Sequence, residues 1–209
     1  HLTSAYLIEV FINPLYREGL LNSFWIALWT TLGCTLIAMP LAMFYTGYQF
    51  PGRESFNLLM LSPLTLPPFV GALGIQMILS RHGSLNSLLF LLGWSNPDAP
   101  IDWLGDGRLT GIVLMNILHL FPMIYINVSN TLSKIDPDLD EAASSLGANG
   151  FRRLRRVLLP LALPGLFAGA SITFIWAFTE LGVPLIFDFE RVTSVQIFNA
   201  IRDLNGNPL

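Results

Sequence analysis

Four long apolar runs separated by polar stretches dominate the chain, at about 23–45, 56–79, 109–128 and 161–187. Crossing a bilayer as a helix takes roughly 20 mostly apolar residues, because the hydrocarbon core is about 30 Å thick and a helix rises about 1.5 Å per residue. Each run meets that length, so the pattern predicts an all-α, polytopic membrane helical bundle. The second run carries Pro63, Pro67 and Pro68 within Ser62-Pro-Leu-Thr-Leu-Pro-Pro-Phe-Val70. Each proline deletes a backbone donor and crowds the turn before it. That helix is expected to be kinked or broken where neighbouring helices or a water-lined path can satisfy the freed carbonyls. A plain structural bend and a wall of the path are both open readings. Between the second and third runs, Leu85 to Trp94 is apolar but too short to cross, and reads as a re-entrant or surface helix ended by Asn96-Pro-Asp-Ala-Pro100.

Composition agrees with the pattern. Of 209 residues, 53% are hydrophobic and 12% charged, and the mean hydropathy is +0.58, which excludes an ordinary soluble fold and places the chain in a lipid bilayer. The net charge of −3 and the absence of a broad basic surface argue against nucleic acid as a partner. Cys34, the single cysteine, rules out an internal disulfide and a cysteine-rich metal site, and suits buried packing. No metal site is expected. The start at His1 and the polar end at 203–209 read as a piece of a longer membrane protein, one transmembrane domain over 1–209 truncated at both ends.

Lys134, Arg152, Arg153, Arg155 and Arg156 all fall between the third and fourth runs. A basic excess in a short loop marks the cytoplasmic side. Counting outward from it places Arg53 inside and Arg17, Arg81, Arg108, Arg191 and Arg202 outside. Within the same loop, 132–160, Asp136 can cap a helix, Pro137 suits its first position, and the following acids favour the positive end of the dipole. Leu139, Ala142, Ala143 and Leu146 then share one face before Gly147 ends the helix. A second helix is expected from about Asn149, with Phe151, Leu154 and Leu158 on one side, closed by Pro160. Two short helices joined at a glycine form a docking knob, or alternatively an amphipathic segment resting on anionic headgroups.

Glu141-Ala142-Ala143, three residues, Gly147, nine residues, Val157, one residue and Leu159-Pro160 resemble the signature loop of the inner-membrane permeases of binding-protein-dependent ABC importers, the type I, MetI-like superfamily. Val157 stands where isoleucine is usual. The resemblance implies that the loop is cytoplasmic and that Glu141, Ala142, Ala143, Gly147, Val157, Leu159 and Pro160 dock into a groove of an ATPase subunit. It also implies a second permease bundle, fused, identical or distinct, a periplasmic or extracellular substrate-binding protein, and a multi-pass location in the bacterial inner membrane. The only lysine, Lys134, is not preceded by glycine, so the phosphate-binding G-x-x-x-x-G-K-[ST] loop is absent. The chain is therefore read as a transport subunit, not an enzyme, with no cofactor of its own and no catalytic residue. ATP and Mg are expected on the partner ATPase.

Glu180 is the one acid inside a run, and a carboxylate at membrane depth points to a bundle interior or a water path. It sits beside Gly182 and Pro184, which loosen the helix. By rise per residue it also falls near the outer boundary, so an interfacial acid is an equal alternative. Pro63, Pro67, Pro68, Thr179 and Glu180 are the candidate path residues. Leu66-Pro-Pro-Phe-Val-Gly-Ala72, Thr179-Glu-Leu-Gly-Val-Pro-Leu185 and Val192-Thr-Ser-Val-Gln-Ile-Phe198 look like the ferric-iron group of these permeases, with polyamine, sulfate, thiamine and phosphonate carriers as related alternatives. An ion-gradient-driven transporter is the rival class. It would rely on Glu180 and His119, the intramembrane ionisable residues at hand.

Overall fold

The computed structural model describes residues 13–94, 100–104, 108–135 and 154–206. Helix α1 spans Pro14–Gly47, α2 Arg53–Leu61, α3 Pro68–Leu79, α4 Ser84–Leu91 and α5 Leu109–Leu132. A π-turn at Leu154–Leu158 leads into α6, Leu159–Thr179, followed by α7, Gly182–Ile186, and α8, Thr193–Gly206. No strand occurs among the described residues. The stretches Pro14–Gly47, Leu109–Leu132 and Arg156–Ile186 are long and apolar enough to cross a membrane. A fourth crossing arises if Arg53–Thr65 and Pro68–Leu91 count as one span, bent by 89° at its break.

Helix α1 begins well before the apolar run at 23–45. Asn13 starts it by accepting the Leu15 N–H on Oδ1 at 3.0 Å, and Pro14 occupies the first position, where its missing N–H goes unnoticed. At about 1.5 Å per residue its 34 residues reach about 51 Å. That length exceeds the hydrocarbon core, so polar residues such as Arg17 and Glu18 extend the helix beyond it.

The second apolar run is broken, as its prolines require. Helix α2 passes into a 3₁₀ turn, Ser62–Thr65, and α3 restarts with Pro67 as extended cap and Pro68 at its first position. Pro63 cannot donate to the Leu59 carbonyl. Ser62 serves it instead, from its backbone N–H and from its Oγ at 2.8 Å. The Thr65 hydroxyl likewise donates to the Ser62 carbonyl at 2.7 Å.

The chain divides into two compact units. The first comprises His1–Thr30, Leu66–Asn116 and Ile175–Leu209, and the second Thr31–Thr65 and Ile117–Phe174. The first unit is centred on Ile26, Ala72, Ile112, Met115, Val183, Phe187, Val192 and Val195, drawn from α1, α3, α5, α7 and the α8 region. Its Asn86, 6% exposed on α4, donates to the carbonyls of Ser80, Arg81 and Ile101 and accepts from the Trp103 indole at 3.0 Å. One buried amide thus holds the turn before α4 and the segment after it.

In the second unit, small residues let α1 and α6 approach α5. Cys34 is fully buried and its Sγ donates to the Ile117 carbonyl at 3.6 Å, a packing role. On α6, a Cβ added at Gly169 would lie 2.8 Å from Ile124 Cα, and one at Gly165 would meet Thr131 and the Asn127 carbonyl. The G-x-x-x-G pair is therefore a close-packing seam within the unit. Tyr125, buried on α5, donates to Asn57 Oδ1 at 3.0 Å and packs beside Tyr45, while the Arg53 guanidinium lies 4.5 Å above the Tyr45 ring.

Candidate functional site

The first unit brings together two places where a membrane segment is interrupted. One is the break before α3, at Pro67 and Pro68. The other separates α6 from α7 at Glu180 and Leu181, inside what reads from the sequence as a single run over 161–187. Helices α3 and α7 pack on one another, with Ala72 and Val183 in the same buried core. A Cβ added at Gly182 would stand 3.5 Å from Phe69 Cβ, so the residue just after the double proline abuts the start of α7. Interrupted membrane helices that meet in this way are where transport proteins place irregular backbone, because such backbone is tolerated only beside protein or a water-filled cavity.

Glu180 organises the second break. Its Oε1 accepts the N–H of Gly182 at 2.9 Å and of Val183 at 3.3 Å, two donors that the first turn of α7 leaves without helical partners. Its backbone carbonyl accepts the Ser194 hydroxyl at 2.7 Å. The α8 end of the same segment is tied to α1, since the Thr193 N–H donates to Ser23 Oγ at 3.0 Å and Asn22 Nδ2 to the Arg191 carbonyl at 2.8 Å. Thr179 is exposed, and its hydroxyl turns back onto the Ile175 carbonyl at 2.9 Å in the last turn of α6.

Of the candidate path residues, Pro67, Pro68, Thr179 and Glu180 all belong to the first unit, and they flank the two breaks. Pro63 lies in the 3₁₀ turn of the second unit. His119 is buried on α5. Two cavities in the first unit escape the sequence reading. A cavity of about 870 Å³ is bordered by Tyr16, Asp188, Glu190, Arg191 and Asn199, and another of about 470 Å³ by Gln76, His82 and Asp102. Arg108 borders both. Its guanidinium donates to the Phe187 carbonyl and stands 3.5 Å from the Asp188 carboxylate, and both Arg108 and Asp188 hold left-handed backbone at φ 48° and 54°.

Among the residues expected to couple to an ATPase, Glu141, Ala142, Ala143 and Gly147 lie outside the described residues, as does the expected helix start near Asn149. Val157 is half-buried in the π-turn, and Leu159 and Pro160 open α6 as exposed residues. Pro160 therefore does not close a helix, contrary to the sequence expectation. It stands in the first turn of the following one. There its missing N–H would leave the Arg156 carbonyl without a helical donor, and the wider π-turn immediately before it relieves that conflict.

Comparison with known proteins agrees with this architecture. The description "binding-protein-dependent transport system inner membrane component" matches residues 35–202. The putative 2-aminoethylphosphonate transport system permease protein of Salmonella typhimurium is 31% identical over 90% of this chain and 64% of its own length. The spermidine/putrescine transport system permease protein of Escherichia coli is 30% identical over 77% of this chain and 57% of its own length. The chain thus spans less than two thirds of these relatives. Their names are those of phosphonate and polyamine systems, and the ferric-iron likeness of the Leu66–Ala72 and Thr179–Leu185 motifs gains no support from them. With a family match over most of its length, apolar helices that can cross a bilayer and interrupted segments between them, the chain belongs to the family of binding-protein-dependent transport system inner membrane components.

Proposed function

We propose that this chain is the membrane-embedded part of an importer permease subunit, forming the solute path and driven by a separate ATPase that docks on the loop at 132–160. The observation that carries the reading is the family match over 35–202, which runs through that loop and through both interrupted segments. The spacing of Glu141, Ala142, Ala143, Gly147, Val157, Leu159 and Pro160 supports the docking role. In this reading the loop faces the cytoplasm of a bacterial cell, a second permease bundle completes the path, and a binding protein delivers solute on the other side. The path passes the paired breaks of the first unit. ATP and Mg act on the ATPase, which moves the docked loop and so switches the helices between inward-open and outward-open states.

The cargo we propose is an organophosphonate, on the strength of the longer of the two matches described. A polyamine is the second reading, favoured by the Escherichia coli relative. Uptake of 2-aminoethylphosphonate, spermidine and ferric ion by vesicles carrying the complete complex distinguishes them, and accumulation of ferric ion alone refutes both. For the docking role, Glu141→Arg in the same complex is expected to abolish uptake while ATP hydrolysis continues. Undiminished coupling in that variant would overturn the role.

A further inference from the structure

Glu180 is the acid that the sequence offers as a path residue, where a carboxylate would suit a cationic cargo, and its surroundings assign it other work. Its Oε1 is engaged by two backbone donors, Gly182 N–H and Val183 N–H. Its own carbonyl is engaged by Ser194. The cap residue of α7, Leu181, has no side chain that can serve these donors. Gly182 leaves room for the arrangement: a Cβ there would come 3.2 Å from the same carboxylate oxygen, which would have to give by a few tenths of an ångström. We infer that Glu180 is a positioning residue: its carboxylate oxygen acts as an acceptor that fixes the break between α6 and α7 against Phe69 and the first turn of α8, and cargo charge is read elsewhere.

The inference predicts a division that a cargo contact would not produce. An acceptor is required, a negative charge is not, so glutamine substitutes for glutamate and alanine does not. The inference rests on the proposed transport function only for its uptake arm, and a labelling arm stands without it. In the full-length subunit with Cys34 and any cysteine outside these 209 residues replaced by alanine, Leu181→Cys supplies one thiol beside the break. Glu180→Ala is expected to raise its maleimide labelling rate in membranes at least about fivefold, since two backbone hydrogen bonds to Oε1 are lost, whereas Glu180→Gln stays within about twofold. Gly182→Ala, which crowds the oxygen without removing it, should fall between the two and covers the case in which Glu180→Ala fails to accumulate.

In the reconstituted complex, Glu180→Ala should lower maximal uptake about tenfold or more with the half-saturating concentration unchanged, and Glu180→Gln should retain about a third or more of wild-type uptake. An active wild-type complex in which Glu180→Gln is as damaged as Glu180→Ala, or in which half-saturation shifts with charge, overturns the positioning role. So does Glu180→Ala labelled as slowly as the parent. A wild-type complex that takes up no tested solute sinks the transport reading instead, and the labelling result then decides the positioning role by itself.

Discussion

Replacing Gly169 by alanine tests whether α6 is held against α5 by a missing side chain. The added Cβ would lie 2.8 Å from Ile124 Cα and 3.3 Å from both Asn127 Cβ and the Met123 carbonyl. Carbon atoms rest at about 3.5–4.0 Å, so the two helices must separate locally by roughly 1 Å. The obstacle at Ile124 is backbone, which cannot rotate aside. Overpacking of this kind costs about 1–3 kcal/mol. Gly74 on α3 provides the opposite case, because nothing lies within 4 Å of an added Cβ there. Gly74→Ala should therefore be neutral or stabilise by up to about 1 kcal/mol through helix propensity. Both variants can be compared by reversible unfolding in mixed micelles, with helical circular dichroism as the signal. Equal stabilities, or a Gly169→Ala protein more stable than the parent, would refute the close-packing argument.

Asn86→Ala removes three bonds to carbonyls and the acceptor of the Trp103 indole, and should destabilise the first unit by about 1–3 kcal/mol, with Trp103 fluorescence shifting to the red. Tyr125→Phe deletes the bond to Asn57 from a buried position and should cost about 0.5–1.5 kcal/mol in the same unfolding assay. Arg191→Ala breaks an exposed pair with Glu18 at 3.2 Å, and the loss should stay below about 1 kcal/mol and fade in high salt.

Much of the helical layout follows from local chemistry. Runs of about 20 apolar residues have few alternatives in lipid, and Pro63, Pro67 and Pro68 announce a break because a missing N–H is a property of the residue itself. The break at Glu180 and Leu181 is less legible. Gly182 and Pro184 hint at a loosened helix, but the interruption is held by a carboxylate folding back on two N–H groups and by Phe69, more than a hundred residues earlier in the chain. Asn86, Asn57 and Tyr125 escape sequence reading for the same reason. Each looks like an ordinary polar or aromatic residue until a partner 15 or 68 positions away is placed beside it. Pro160 shows the limit of a good local rule. A proline can stop one helix or start the next, and the choice depends on the turn that precedes it.

That turn has a directional consequence. An α-helix advances about 100° per residue, so a π-turn, which inserts one extra residue into a single coil, sets its own first residue, Leu154, out of phase with α6 by about that angle. The turn at Leu154–Leu158 thus acts as an angular offset as well as a junction. Pro160→Ala, by restoring the donor, would let the coil at Leu154–Leu158 tighten to α-helical register while leaving α6 itself intact.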